Sequence, residues 1–430
     1  MTISNKDQTL SSKDIQRPKN ITDDELLDLT QRQTFRYFWD AAHPLSGLIR
    51  DRANRFSDPK DEAIAIGGSG FGVMAIIVGC ERGWISRQQA VQRISSMLDV
   101  LEKATCYHGA YPHFMNGATG ATIPFSRKDD GGDLVETSFL FQGLLCARAY
   151  FDHDGSDEIR LRQRISYLWQ EVEWNWYTQG GRNALTWHWS PTNGFALNHD
   201  IRGWNECLIT YILAVSAPTY PIDPKCYHEG WAQGRQFLNK RKYEGIDLPL
   251  GSDWGGPLFL AHFSFCGLDP HGLKDAYADY WLQNVSHTRI NHAYCVRNPL
   301  NYKGYSSNCW GLSAGDAVHG YAASAPDNDL GVINPSAALS SFCYAPEESM
   351  SALRHFYYDL GDKLWGRFGF VDGFSQQDNW YADTYLGISQ GPIVIMIENY
   401  RTGLLWKLFM KNPEIQIGLK KLGFNSPYIS

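Results

Sequence analysis

EAIAIGGSGFGVMAIIVGCERG (residues 62–83) is apolar on nearly every side, the character of a helix buried all round rather than one lying on a surface. Directly after it, SRQQAVQRISSMLDVLEKA (residues 86–104) carries apolar residues at helical spacing behind a Ser86 cap, so it reads as an amphipathic partner. The alternation continues in both directions. Upstream, Thr22 caps DDELLDLTQRQTFRYFWDAA, again amphipathic. Downstream, an apolar helix opens at Asp133, an outer one covers residues 156–177 and a buried one covers 202–215. Residues 224–239 read as outer, 257–266 as apolar, 270–286 as outer, 335–344 as inner and 347–360 as outer. A last pair spans 391–400 and 402–421. Helices that alternate between all-apolar and one-faced predict two concentric layers. The expected architecture is an all-α (α/α)6 barrel over residues 21–430, behind a polar tail of residues 1–20. There is no βαβ run and no Rossmann or P-loop glycine pattern.

One β signal stands apart. ALTWHWSPTNGFAL (residues 184–197) alternates on either side of a Pro-Thr-Asn-Gly turn, which predicts a hairpin at the cavity rim. Its Trp187, His188 and Trp189 either meet a ligand there or pack the ribbon onto the helices.

Composition narrows the function classes. Hydrophobic residues make up 43% of the chain and charged residues 20%, as in a soluble globular protein. Net charge is −7 with no basic run, so neither a nucleic-acid nor a membrane partner is expected. Fifteen Trp, 23 Tyr and 21 Phe suit a cleft where the apolar face of a sugar ring stacks on an aromatic ring. The nine cysteines are scattered, with no Cys-x-x-Cys pair, which predicts free thiols. MTISNKDQTLSSKDIQRPKN lacks an apolar core, so the chain reads as cytoplasmic, or as periplasmic if a leader was removed.

The chemistry is expected in FSRKDDGGDLVETSFLFQG (residues 125–143). Asp129, Asp130, Asp133 and Glu136 crowd a Gly-Gly loop that runs into an apolar helix. Asp133 and Glu136 share a helix face, and they also fit a capping box. Glu206 begins another apolar segment, HDIRGWNECLITYILAV; it either pairs with Arg202 or stays unpaired. Unpaired, and beside Trp204 and Trp187, its pKa would rise enough to make it a proton donor at neutral pH. A third acidic patch holds Asp372, Asp378, Asp383 and Glu398. There Glu398 fits an intrahelical pair with Arg401, and Asp383, near Trp380 and Tyr381, is either a general base or a turn residue. Gly68-Ser69-Gly70 reads as a glycine-lined approach to the cavity, with Phe71 beside it, rather than a nucleophile elbow. Candidate sugar contacts are Asp130, Phe71, Trp187, His188, Trp189, Arg202, Trp204, Trp380 and Tyr381. No HExxH pair or EF-hand spacing occurs, so no metal or cofactor is expected.

Taken together, GGSGFGVMAI, DDGGDLVETSFLFQGLL, WHWSP, GWNECLITYILA, RFGFVDGF and WYADTYLGISQGPIVIMIENYRTGLLW closely resemble the bacterial glucoamylase-like family. That family includes the endo-β-1,2-glucanases and sophorose-releasing exo-enzymes of glycoside hydrolase family 144. The resemblance runs from about Thr30 to Gly423. It implies an (α/α)6 barrel and cofactor-independent, inverting hydrolysis of β-linked glucan; a monomer or weak oligomer is expected. Its essential acids fall on Asp133 and Glu136 in DLVE and on Glu206 in GWNE. With Glu206 as general acid, the base is Asp133, Glu136 or Asp383. Another glucan linkage, a polysaccharide lyase on the same barrel, and a non-catalytic glucan-binding protein are the competing expectations.

Overall fold

The computed structural model describes residues 17–233 and 237–429. Most of the expected polar tail, residues 1–16, lies outside the described residues.

Helix α1 (Asp23–Asp40) opens with a capping box: the Thr22 hydroxyl accepts from Glu25 N, and Glu25 accepts from the Thr22 amide. Helix α2 (Ile66–Glu81) is buried from Ile66 through Gly79. Helix α3 (Arg87–Leu101) repeats the capping box with Ser86 and Gln89. Each box satisfies donors that a first helical turn leaves free, which is why these two starts were readable in the sequence. Helix α4 (Leu134–Tyr150) is buried through Ala147. It lies so close to α2 that only glycine fits between the backbones. A Cβ on Gly70 would sit 2.1 Å from Phe139 O, and one on Gly143 would sit 2.1 Å from Gly70 O.

Helix α5 (Ser156–Gln170) follows, then the fully buried α6 (Leu208–Ser216). Next come α7 (Tyr280–Arg297), α8 (Pro335–Leu339), α9 (Pro346–Arg354) and α10 (Gly361–Leu364). The last three are α11 (Gly387–Thr402), α12 (Leu404–Met410) and α13 (Pro413–Lys421). α2 lies between α4 and α11; α4 also meets α5, α6 and α12, and α6 meets α13. α1 packs on both α2 and α11, so the first helix closes against one of the last. The chain is predominantly helical, with small two- and three-stranded sheets. Among the described residues, no helix is long and apolar enough to cross a membrane.

The middle of the chain departs from the expected helices. Among the described residues of 224–239, which leave out 234–236, there is a π-helical turn, Cys226–Trp231, ahead of an antiparallel ribbon, Leu238–Tyr243 with Ile246–Leu250. Glu244 and Gly245 both take positive φ, 50° and 79°, the geometry of a tight hairpin turn. Residues 257–266 fold as short 3-10 turns. The outer helix expected over 270–286 starts at Tyr280, capped by Asp279, and runs to Arg297. Residues 202–207 are a turn, so α6 begins after Glu206 rather than before it.

The hairpin over residues 184–197 is also rearranged. Its turn is closed by reciprocal Ser190 and Gly194 backbone bonds, and the two sides meet again at the Thr186–Asp200 bridge, but between these points, at 188–189, the first arm does not pair with the second. Instead His188–Trp189 pairs with Gly132–Asp133, with Asp133 opposite His188. A distant strand outcompeted the local one, and the outcome links two candidate site segments directly.

Candidate active site

The buried helices present their N-terminal ends to one another. Gly67, in the first turn of α2, donates its amide to Glu136 Oε2 at 2.6 Å, in the first turn of α4. Ser138 of α4 and Thr210 of α6 share a hydroxyl bond of 2.7 Å. Gly387, first residue of α11, donates to Asp51 O, and Asn334, the N-cap of α8, donates to Asp372 O. Helix N-termini carry partial positive charge and favour carboxylates nearby.

Asp133 is the centre of this arrangement. It is fully buried and caps α4, Oδ1 accepting from Val135 N and Glu136 N at 3.0 Å each. Oδ2 bonds His113 Nδ1 at 3.1 Å and lies 3.7 Å from His188 Nε2. Half of the expected capping box is therefore present. The other half is not: Glu136 turns across to Gly67 instead of back to its own helix. A Cβ on Gly67 would stand 2.6 Å from Glu136 Oε2, so only glycine brings an amide this close.

The charges follow from burial and from Asp133. Burial alone would raise the Asp133 pKa, but the His113 bond and charge, the His188 charge and the Glu136 amide hold it below the usual carboxylate range. Burial would lower His113, yet Glu136, Asp133 and Asp129 lift it to about 9, so it is an imidazolium at neutral pH. Glu136 is pushed up to about 7 by burial and by Asp133, against the pull of His113 and the Gly67 amide. Glu206 rises to about 7, chiefly through burial and further through Asp133. Asp129 reaches about 6 for the same two reasons. Asp372, 1% exposed, is pushed by burial to about 7 although it accepts from Asp316 N at 2.6 Å. One carboxylate is thus held ionised while its neighbours keep their protons into the neutral range, the separation that acid–base chemistry requires.

Several expected contacts lie elsewhere. Phe71 is fully buried against Phe139 and Phe263, ring centroids 5.5 and 5.4 Å away, so it is core. Trp204 packs on Trp231, Phe265 and Tyr280 and is core as well. Arg202 pairs with Asp200 and the Gly230 carbonyl, not with Glu206. Glu206 makes no side-chain bond to another residue among the described residues. Asp383 is exposed and accepts from Asn54 Nδ2 at 3.2 Å, whereas the next residue, Thr384, bonds Asp316. Tyr381 stacks on Phe374 beneath Lys363, and Trp380 pairs with Ser375 in the same ribbon. Asp130 accepts from Thr192 at 2.9 Å, tying the 190–194 turn to the acidic loop. Trp189 packs among Tyr107, His108 and Trp176. Trp187 and His188 stay close to the acids, with Trp187 stacked on His199.

Of the other participants, only Asp372 was named in the sequence, within the third acidic patch. His113 sits in YPHF with no local signal, since its partner is twenty positions away. Asp372 carried one, an acid inside the apolar run RFGFVDGF. Tyr321 lies opposite Asp316 in the ribbon Ala314–Ala317 with Gly320–Ala323. Asp316 also reaches Arg52, which bonds Asp51.

Asp129, Asp133 and His188 each offer one ligand atom, all within 4.8 Å of one another. A cation there would have to displace the His113 imidazolium from Asp133, so the set suits shared protons better than a resident metal.

The chain resembles several characterised proteins. It is 45% identical, over 423 residues, to the exo β-1,2-glucooligosaccharide sophorohydrolase (non-reducing end) of Parabacteroides distasonis, covering 94% of this chain. This chain spans 58% of that relative's length. The structure of the endo-β-1,2-glucanase from Chitinophaga pinensis, in complex with sophorotriose and glucose, is 51% identical with a TM-score of 0.93, covering 95% of this chain and 100% of that one. A Bacteroides uniformis crystal structure, described as a "putative glucoamylase", is 56% identical with a TM-score of 0.94, covering 96% and 100%. The Glycoamylase family model, described as "Putative glucoamylase", matches residues 198–413. The chain belongs to this glucoamylase-like family.

Proposed function

We propose that the protein is a glycoside hydrolase that cleaves β-1,2-linked glucan or its oligosaccharides by inversion, on an (α/α)6 barrel. The observation that carries the reading is Glu206: a carboxyl with a pKa of about 7 and no side-chain partner among the described residues, raised in part by an ionised Asp133. Glu206 is the general acid that protonates the leaving glycosidic oxygen. The base is the Asp133–Glu136 pair. Asp133, the member held ionised, takes the proton of the attacking water, with Glu136 held beside it by the Gly67 amide. Asp383, exposed and bonded to Asn54, acts as base only through intervening water. Inversion requires roughly 6.5–9.5 Å between acid and base, room for the attacking water.

The two β-1,2-glucan-cleaving relatives support the substrate, and the alternation of buried and one-faced helices supports the barrel. A lyase would need a basic cleft to stabilise the charge that develops beside a uronate, and the acid-rich site argues against it. The test is sugar release from linear β-1,2-glucan. Wild type releases reducing sugar, and Glu206→Gln loses about 100-fold or more of the rate, the scale of general-acid catalysis. Undiminished activity in that variant would remove Glu206 from this role.

A further inference from the structure

Asp133 meets two imidazoles: His113 is bonded to it at 3.1 Å, and His188 lies 3.7 Å away. Burial pushes His188 below the usual imidazole range, and His199 and His113 push it further, against the pull of Asp133. At neutral pH His188 is therefore uncharged, and His113 is the cation at Asp133. The groups that face His113 explain the difference. Asp129 reaches it from the acidic loop, and Asp133 and Glu136 reach it from the start of α4. Three carboxyls outweigh the cost of burying the charged ring.

The backbone around His113 is stitched to the starts of both buried helices. Ile66 N, at the start of α2, donates to His113 O at 3.2 Å, and Asp133 N donates to Tyr111 O at 2.8 Å. Tyr111 N in turn donates to Thr137 Oγ1 of α4 at 2.9 Å. The imidazole is thus held at Asp133 by the same helix starts that hold Glu136, the kind of support a site needs to keep its geometry. Two aromatic rings also cover it. The centroids of Phe114 and Phe125 lie 4.4 and 4.7 Å from its own, and the two phenyl rings stack on each other at 5.7 Å. Both are inside the roughly 6 Å over which a cation is drawn to an aromatic ring. Phe125 is 58% exposed, so core packing does not account for its place, whereas covering a charged ring does.

We propose that His113 is a positioning residue for the hydrolysis, acting through Asp133 rather than on the sugar: its hydrogen bond keeps Asp133 ionised as the base, and the Phe114–Phe125 pair keeps His113 charged. The proposal rests on the hydrolase reading, so its first test is made without turnover. The chain has thirteen histidines; in an NMR titration of histidine-labelled protein, the signal missing from His113→Asn belongs to His113. That signal is expected to titrate near pH 9 in wild type. It should fall by about half a unit in Phe125→Leu, which keeps an apolar cover but removes the ring. His113→Asn keeps an N–H for Asp133 and removes the charge. The acid limb of its kcat/KM profile should move up by about one to three pH units, with KM for short β-1,2-glucooligosaccharides little changed at neutral pH. A purely structural role would not move that limb. A His113 signal that titrates near the ordinary 6.5, one indifferent to Phe125→Leu, or an acid limb that stays in place in His113→Asn overturns the proposal. Failure of the wild-type enzyme to release sugar counts against the hydrolase reading alone, since the titration still reports whether His113 is held charged.

Discussion

Glu206→Gln should make the protein inactive and, above neutral pH, more stable. Burial and Asp133 raise the Glu206 pKa from an ordinary 4.5 to about 7. At 1.36 kcal/mol per pH unit, ionising this carboxyl in the folded state costs about 3 kcal/mol more than in the unfolded chain. The sign follows from proton counting. Below pH 4.5 both states hold the proton, and the contribution to stability is fully present. Between 4.5 and about 7 only the unfolded chain ionises, so stability falls. Above about 7 the whole penalty is in force. Glutamine keeps the shape and never ionises. Chemical denaturation of wild type and variant across pH 4 to 8.5 should give curves that converge at the acid end and separate to about 3 kcal/mol at the alkaline end. The same ionisation should set the alkaline limb of wild-type kcat/KM near pH 7. A stability difference that stays constant with pH would refute the claim that Glu206 is held protonated by burial, whatever the variant's activity.

Three further outcomes are expected. Asp133→Asn keeps an oxygen to cap α4 but removes the charge that lifts its neighbours, so the pKa values of Glu206 and Glu136 fall; the alkaline limb of the residual pH–rate profile should move to lower pH. Gly67→Ala drives a Cβ into Glu136 Oε2, and kcat should drop about 100-fold, as for a displacement of roughly 1 Å in a catalytic group, with circular dichroism unchanged. Glu398→Ala strips a fully buried carboxylate from Arg82, at 2.7 Å, and from Gln31 and Thr402; it should destabilise the protein by about 3 kcal/mol in urea without altering the pH–rate profile.

Features decided within a few residues were legible in the sequence. The Thr22 and Ser86 caps, the all-apolar α2, and Asp133 as the start of α4 all rest on local patterns. Glu206 as an unpaired carboxyl was also within reach, since the chemistry of its segment allowed only pairing or use. Where a partner came from afar, local reasoning chose wrongly. Glu398 pairs with Arg82 on another helix rather than with Arg401, which instead bonds Asp28 and Gln31. Arg202 prefers Asp200, because the turn at 202–207 destroys the helical spacing that would have aimed it at Glu206. Phe71 and Trp204 occur in motif segments, but burial decides their role and composition cannot report it. The ribbon around Gly245 was legible and missed: KYEGIDLPL alternates about a Glu-Gly turn, a signal masked by the expectation of another helix.

Strand Arg52–Asn54 pairs with Thr384–Leu386, and the amide of Gly387 completes the contact at Asp51. On a ribosome, the first of these segments must wait for the second through on the order of tens of seconds of synthesis, at 5–20 residues per second. During that wait α2 has no α11 to cover it, and a sixteen-residue helix without a polar face is left to whatever apolar surface is nearest. Slow elongation and abundant chaperones should therefore govern the yield of active protein, and refolding from denaturant should be slow and concentration-sensitive even where the native state is firm.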